Sequence, residues 1–211
     1  MPDPTLTHAP ELRLNVGCGR YPVGLPGWLN IDSDPEVGAF VCGLGYKFHQ
    51  GEGHLLPFVA DGEAAEVYCS HMLEHYPPAD AEGVPLTADA LLAEFRRVLR
   101  PGGLLYVAVP DTMALARGIA EMESGALQEL WIGTLFGFHK KPSDTHWWGY
   151  TADSLAALLR GHGFEPCGSW EKWVKNPAPC GEGYDCAGAH CLDVFGKVCH
   201  VSLNMQARRL R

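Results

Sequence analysis

Ten residues, Cys18 to Gly27, separate two apolar segments, Leu12–Val16 and Trp28–Ile31. Each segment has the length and residue types of a buried strand. Gly17 ends the first and Asp32 follows the second. The link holds Gly19, Pro22, Gly24, Pro26 and Gly27, which leaves no room for a regular helix. It is also near the lower limit for a crossover between parallel strands. This start therefore predicts two strands joined by a clipped crossover, with a glycine pair and an acid at their carboxyl ends.

The rest of the chain alternates in the same way. Ala39–Cys42 is predicted as a weaker third strand and Ala65–Ser70 as a fourth. Leu86–Leu99 has Leu91, Leu92, Phe95, Val98 and Leu99 at the spacing of one helical face. Pro101-Gly102-Gly103 stops that helix, and Leu104–Val109 is a continuous apolar run of the kind buried on both faces of a sheet. Met113–Phe138 reads as helical at first and then as a glycine-broken lid. Thr151–His162 reads as a helix capped by Thr151, with Leu155, Leu158 and Leu159 on one face. Late strands are expected at Glu165–Trp173 and His200–Ala207. The pattern predicts an α/β chain with a mostly parallel sheet.

A length of 211 residues suits one domain with a full core. The formal charge of −9, with no run of Lys/Arg longer than pairs such as Arg208-Arg209, argues against a nucleic-acid partner. No apolar run has the length of a membrane span, and residues 1–10 lack the pattern of an export signal and read as a flexible tail. The expected compartment is the reducing cytoplasm, where Cys18, Cys42 and Cys69 act as small hydrophobes.

Ligands of open α/β sheets bind beyond the carboxyl ends of the strands. Gly17 and Gly19 fall there, where glycine permits positive φ and close approach of the backbone. The Asp32 carboxylate can accept hydrogen bonds from both hydroxyls of a ribose, so a nucleoside ligand is expected. Pro22 stands where a dinucleotide fingerprint has its third glycine, and no helix is available to hold a pyrophosphate. An amino-acid tail, which scattered loop amides can hold, fits better.

The segments "LNVGCGRYP", "GWLNID", "LPF", "VYCSHMLEHY" and "EFRRVLRPGGLLYVAVPD" occur in the order found in class I S-adenosylmethionine-dependent methyltransferases. Over residues 12–111 the chain resembles that family. In particular it resembles the small type 11 bacterial branch with a clipped first crossover, often linked to cell-surface sugar modification. The resemblance implies a Rossmann-like fold with an antiparallel C-terminal strand, and S-adenosyl-L-methionine as cofactor. It implies that Asn15, Gly17, Cys18 and Gly19 line the methionine part, that Asp32 binds the ribose, and that Ser70 and His71 lie over the cofactor. The family's adenine-contacting acid lacks a clear match; Glu52 is the expected equivalent. Residues 11–211 are expected to form one methyltransferase domain, with 112–150 covering the acceptor pocket.

Methyl transfer to oxygen needs orientation and, usually, a base. His71 follows strand four and is expected at the cofactor rim in a direct role, whereas Glu74 and His75 read as structural. The stretch "FHKKPSDTHWWGYT" gathers Asp144, His146, Trp147, Trp148 and Tyr150. Asp144 and His146 are expected to orient each other and draw a proton from a hydroxyl. Trp147 and Tyr150 are expected to wall a small-molecule or sugar acceptor. Trp131, Leu135, Phe136 and Phe138 read as a pocket wall or homodimer surface rather than a membrane patch.

Cys180, Cys186, Cys191 and His190 lack the paired spacing of common zinc sites. No metal is expected, and 174–197 reads as an irregular Cys/Gly-rich insertion. The leading expectation is methyl transfer to a small-molecule or glycan acceptor, at a hydroxyl oxygen. The alternatives are N- or C-methylation and a catalytically inactive cofactor-binding protein.

Overall fold

The computed structural model describes residues 11–77, 87–121, 125–141, 144–169, 191–194 and 197–211. The first half comprises β1 (Arg13–Val16), β2 (Trp28–Asp32), α1 (Pro35–Gly43), β3 (Phe48–Gln50), β4 (Ala64–Ser70), α2 (Ala88–Val98) and β5 (Leu99–Pro110). Then come α3 (Thr112–Glu121), α4 (Ala126–Phe136), α5 (Ala152–Gly161), β6 (Phe164–Gly168), β7 (Cys191–Val194), β8 (Lys197–His200) and β9 (Ser202–Arg209). One seven-stranded sheet has the order β3-β2-β1-β4-β5-β9-β6. Strands β1 to β5 pair in parallel, and β9 runs antiparallel to both β5 and β6. This is the α/β, mostly parallel sheet with an antiparallel C-terminal strand expected from the sequence. No helix among the described residues is long and apolar enough to cross a membrane.

Side chains alternate across the sheet as strand geometry requires. Leu14, Val16, Ile31, Val67, Cys69, Leu105, Val107 and Val109 face the main core, filled by Leu91, Leu92, Phe95 and Val98 of α2 and Leu155 and Leu159 of α5. On the other face Val23, Trp28, Tyr68, Tyr106 and Ala108 make a second, smaller core. Val23 belongs to the clipped crossover, so a loop covers ground that a helix usually covers. Thr151 caps α5 in a reciprocal capping box with Ser154.

Three expectations are corrected. Ala39–Cys42 is helix, not strand: Asp34 accepts a hydrogen bond from the Glu36 N–H (2.8 Å) and Pro35 opens the first turn. The third strand is Phe48–Gln50, a short edge strand whose polar residues give little periodic signal. Strand β5 begins already at Leu99, because Gly102, at φ +79, lets the chain turn without leaving the sheet. The expected lid is helical, since α4 continues through Gly133, and Trp131 is buried with Leu115 and Val201 against Gly118. Of the Cys/Gly-rich stretch, residues 174–190 and 195–196 lie outside the described residues, as do the end of the expected strand at 170–173 and the flexible tail expected at 1–10. The end of that stretch forms the β7–β8 hairpin.

Asn30 holds the clipped crossover in place. It is 0% exposed, and its Oδ1 accepts hydrogen bonds from the Val23 N–H (2.7 Å) and from Asn15 Nδ2 (2.9 Å). Its Nδ2 donates to the carbonyls of Val23 and Lys47, both at 3.0 Å. Every hydrogen-bonding site of the amide is therefore satisfied within the protein. The loop from Gly51 to Asp61 is held from the other side by Glu94 and Arg97. The Leu56 N–H donates to Glu94 (2.6 Å), and Arg97 donates to Glu94, Asp61 and the carbonyls of Leu56 and Val59. The Arg97 guanidinium holds the Glu94 carboxyl below the usual carboxylate range.

Asn30→Ala leaves more than one buried group without a partner, at about 1–3 kcal/mol each. The variant is expected to lose about 3 kcal/mol in a denaturant titration; a loss below about 1 kcal/mol would show that water replaces the amide. For Glu94 the folded pKa lies below the unfolded one. Its contribution is thus present above an unfolded value of about 4.3 and disappears as pH falls through the folded value. Glu94→Gln is expected to destabilise the protein at neutral pH and to flatten the acid side of the stability–pH curve, read by thermal melts across pH.

Candidate active site

Two adjoining cavities open at the carboxyl ends of β1, β2 and β4. The larger, about 470 Å³, is lined by Gly17, Asp32, Glu52, His71, Met72, His75 and Trp147, among others. The smaller, about 250 Å³, is lined by Asn15, Gly17, Cys18, Gly19, Ser70 and His71, with Tyr21 and Tyr68. Gly17 and His71 belong to both, so they form the shared wall.

The glycine pair has two distinct jobs. Gly17 has φ +67, and a Cβ there would lie 2.6 Å from the Met72 sulfur. A Cβ on Gly53 would meet the other end of the same side chain at 2.5 Å, so Met72 is wedged between the two glycines. Gly19 has φ +50 and nothing within 4 Å of where a Cβ would stand. Its backbone is therefore open to a ligand. The Gly19 N–H donates to Asp32 Oδ2 (2.8 Å) and the Asp34 N–H to Oδ1 (3.0 Å), which fixes the carboxylate at the rim.

Asn15 and Cys18 play a more structural part than expected. The Asn15 amide donates to the Tyr21 carbonyl (3.1 Å) and to Asn30, and so bends the crossover back over β1. Cys18 is 3% exposed, and burial, followed by the Asp32 charge, pushes its thiol up to about 12. Its thiol stays protonated at neutral pH and packs at the wall of the smaller cavity. Glu52 is exposed and stands in the loop just after β3, inside the larger cavity.

Beyond the rim the chain forms a cluster that the sequence only half disclosed. His71 has φ +50, rare for a residue with a Cβ, and its backbone N–H donates to the Ala108 carbonyl (2.8 Å). Its Nε2 lies 3.1 Å from Ser202 Oγ and its Nδ1 3.2 Å from Glu74 Oε1. Glu74 sits in a single 3₁₀ turn, Leu73–His75, with its side chain 1% exposed. Burial disfavours its charge, but the neighbouring His71 and then His75 outweigh this and hold the carboxyl below its usual range. The Trp147 N–H donates to the Glu74 carbonyl (2.8 Å), and His75 Nδ1 donates to the Thr145 carbonyl (3.2 Å). The segment 144–148 is thereby docked on the turn after β4. The rings of His75 and His146 meet edge to face, with centroids 4.7 Å apart.

His146 therefore reaches the site, but not with the partner expected. Its Nδ1 donates to the Leu135 carbonyl (3.2 Å), while Asp144 accepts from the Lys140 N–H (3.2 Å) and makes no contact with His146. Burial holds the His146 ring below the ordinary histidine range, against the pull of Glu74. Trp147 is 54% exposed and lines the larger cavity. Tyr150 does not: it is 3% exposed and packs in the main core, where the Asp111–Tyr150 bridge holds it. Glu74 and His75, read from sequence as structural, stand at the centre of the cluster. Their three- and four-residue spacings from His71 were the available signal.

Residues 29–107 match the model of a family described as a methyltransferase domain. No curated protein matches the sequence significantly. Among solved structures, an S-adenosylmethionine-dependent methyltransferase from Methanosarcina mazei has a TM-score of 0.59 at 16% identity, covering 96% of this chain and 94% of that one. One from Thermotoga maritima, described as a possible histamine N-methyltransferase, has a TM-score of 0.57 at 16% identity, over 94% of this chain and 81% of that one. A Burkholderia thailandensis 1,6-didemethyltoxoflavin-N1-methyltransferase, solved with its substrate and S-adenosylhomocysteine, has a TM-score of 0.53 at 20% identity, over 96% and 72%. At these identities the likeness establishes the fold. The methyltransferase domain match over residues 29–107 and the shared fold support a class I S-adenosylmethionine-dependent methyltransferase, with S-adenosylmethionine as cofactor.

Proposed function

We propose that the protein methylates a hydroxyl oxygen of a small-molecule or glycan acceptor. The observation that carries this reading is the continuity between an acid-lined nucleoside cavity and a histidine cluster across the wall made by Gly17 and His71. Asp32, Asp34 and Glu52 line the larger cavity, and no Lys or Arg is among its described lining residues. That donor set suits hydroxyls, an amine and a cationic sulfonium, and repels a pyrophosphate. The residues therefore fit S-adenosylmethionine, which supplies the methyl group and its own leaving group when bound.

Each residue has a part in this reading. Asp32 holds the ribose and Glu52 takes the adenine amine. Gly17 and Gly19 let the loop backbone, beside Cys18, Asn15 and Ser70, approach the amino-acid tail. His71, at the junction of the cavities, takes the acceptor proton at Nε2 in exchange for its contact with Ser202, and the buried Glu74 carboxylate beside Nδ1 stabilises the imidazolium that forms. His146 and His75 line the acceptor side of the site, and Trp147 covers it and excludes water. Asp144 contributes indirectly, by fixing the loop through Lys140.

Asp32→Ala is expected to weaken binding of S-adenosylmethionine by about 1–3 kcal/mol in calorimetry, the cost of losing hydrogen bonds to a charged acceptor. Unchanged affinity would remove the ribose assignment. His146→Ala is expected to lower turnover by more than its effect on cofactor affinity, measured with labelled cofactor against a panel of sugars and phenols. Equal losses in both, or methyl transfer confined to nitrogen acceptors, would overturn the oxygen-directed reading.

A further inference from the structure

We propose that Glu74, His75 and His146 form a site for one divalent transition-metal ion, zinc by the character of its ligands. One ligating atom from each of the three lies within 4.8 Å of the other two. Two imidazoles and a carboxylate are a recurrent zinc ligand set that leaves a coordination position open. Bond lengths of about 2.0–2.2 Å put tetrahedral donors about 3.3–3.6 Å apart, so the donors close by up to about 1.5 Å when the ion binds.

Three observations point the same way. First, both oxygens of Glu74 are buried and have no hydrogen-bond partner. His71 Nδ1 approaches Oε1 at 3.2 Å, and Oε2 has no polar neighbour at hydrogen-bond distance. A buried carboxylate in that condition costs free energy unless a cation meets it. Second, each histidine donates Nδ1–H to a main-chain carbonyl, His75 to Thr145 and His146 to Leu135, both at 3.2 Å. A carbonyl only accepts, so the proton is on Nδ1 and Nε2 keeps its lone pair. This outer bonding to carbonyls is what orients histidines that bind metals. Third, the three ligands come from the turn after β4 and from the loop before α5. Those segments are joined by the Trp147–Glu74 main-chain bond, so both sides of the site are fixed before metal arrives. His75 also lines the larger cavity, which puts the open position toward it. On the oxygen-directed reading above, on which this role rests, the ion would lower the pKa of the acceptor hydroxyl.

The test uses the full, untagged chain, stripped with a chelator and kept free of cofactor and acceptor, so its outcome does not depend on methyl transfer. Zinc is titrated in competition with a chromophoric chelator, and cobalt(II) is followed by its visible absorption. One equivalent is expected to bind. His146→Ala is expected to weaken binding at least tenfold while leaving the far-ultraviolet circular dichroism and melting temperature near those of the parent. A variant with Cys180, Cys186 and Cys191 changed to serine is expected to keep the site. No bound metal, binding unchanged in His146→Ala, or binding lost with the cysteines would overturn the proposal.

Discussion

The buried amide of Asn30 is the interaction on which the cofactor end depends. A class I sheet normally hands its first strand to a helix, whose packing fixes the loop between them. Here residues 17–27 contain no helix. One fully satisfied amide ties β2 to the crossover through Val23, to β1 through Asn15 and to the approach to β3 through Lys47. An amide does this where a hydrophobe would not, because the loop carries main-chain groups that need partners once water is excluded. The clipped link remains rigid, and the open face of Gly19 stays beside the Asp32 carboxylate.

The acceptor end is built differently. Its rigidity comes from hydrogen bonds accepted by main-chain carbonyls between separate segments of the chain. Trp147 bonds to Glu74, His75 to Thr145, and His146 to Phe136 and Leu135. These contacts set two histidines above a buried carboxylate, and His71 holds a positive φ to complete the ring of polar groups. Such concentrated polarity around a buried carboxylate is expensive in a core and typical of a working site.

Much of this was legible in the residues. The strand–glycine–strand–acid opening located β1, β2, Gly17, Gly19 and Asp32, since apolar runs and glycine punctuation are local signals. The helix over Ala88–Val98 showed its buried face through spacing alone. The misreadings have physical causes. Ala39–Cys42 is apolar enough for a strand, but the Asp34-Pro35 cap just before it starts a helix. Tyr150 is the kind of residue that walls a pocket, but its bridge to Asp111 turns it into the core. Asp144 and His146 are neighbours in sequence whose backbones send them to different partners.

The sequence by itself determined the alternation of strands and helices, the absence of a first crossover helix, the glycine-and-acid rim and the resemblance to methyltransferases, because each depends on residues close together along the chain. Only the tertiary structure decided that Asn30 is the clasp, that Met72 fills the gap between Gly17 and Gly53, and that Glu74, His75 and His146 share one site. Those facts depend on contacts across the fold between segments dozens of residues apart, and no local periodicity encodes which polar side chain will be left facing another.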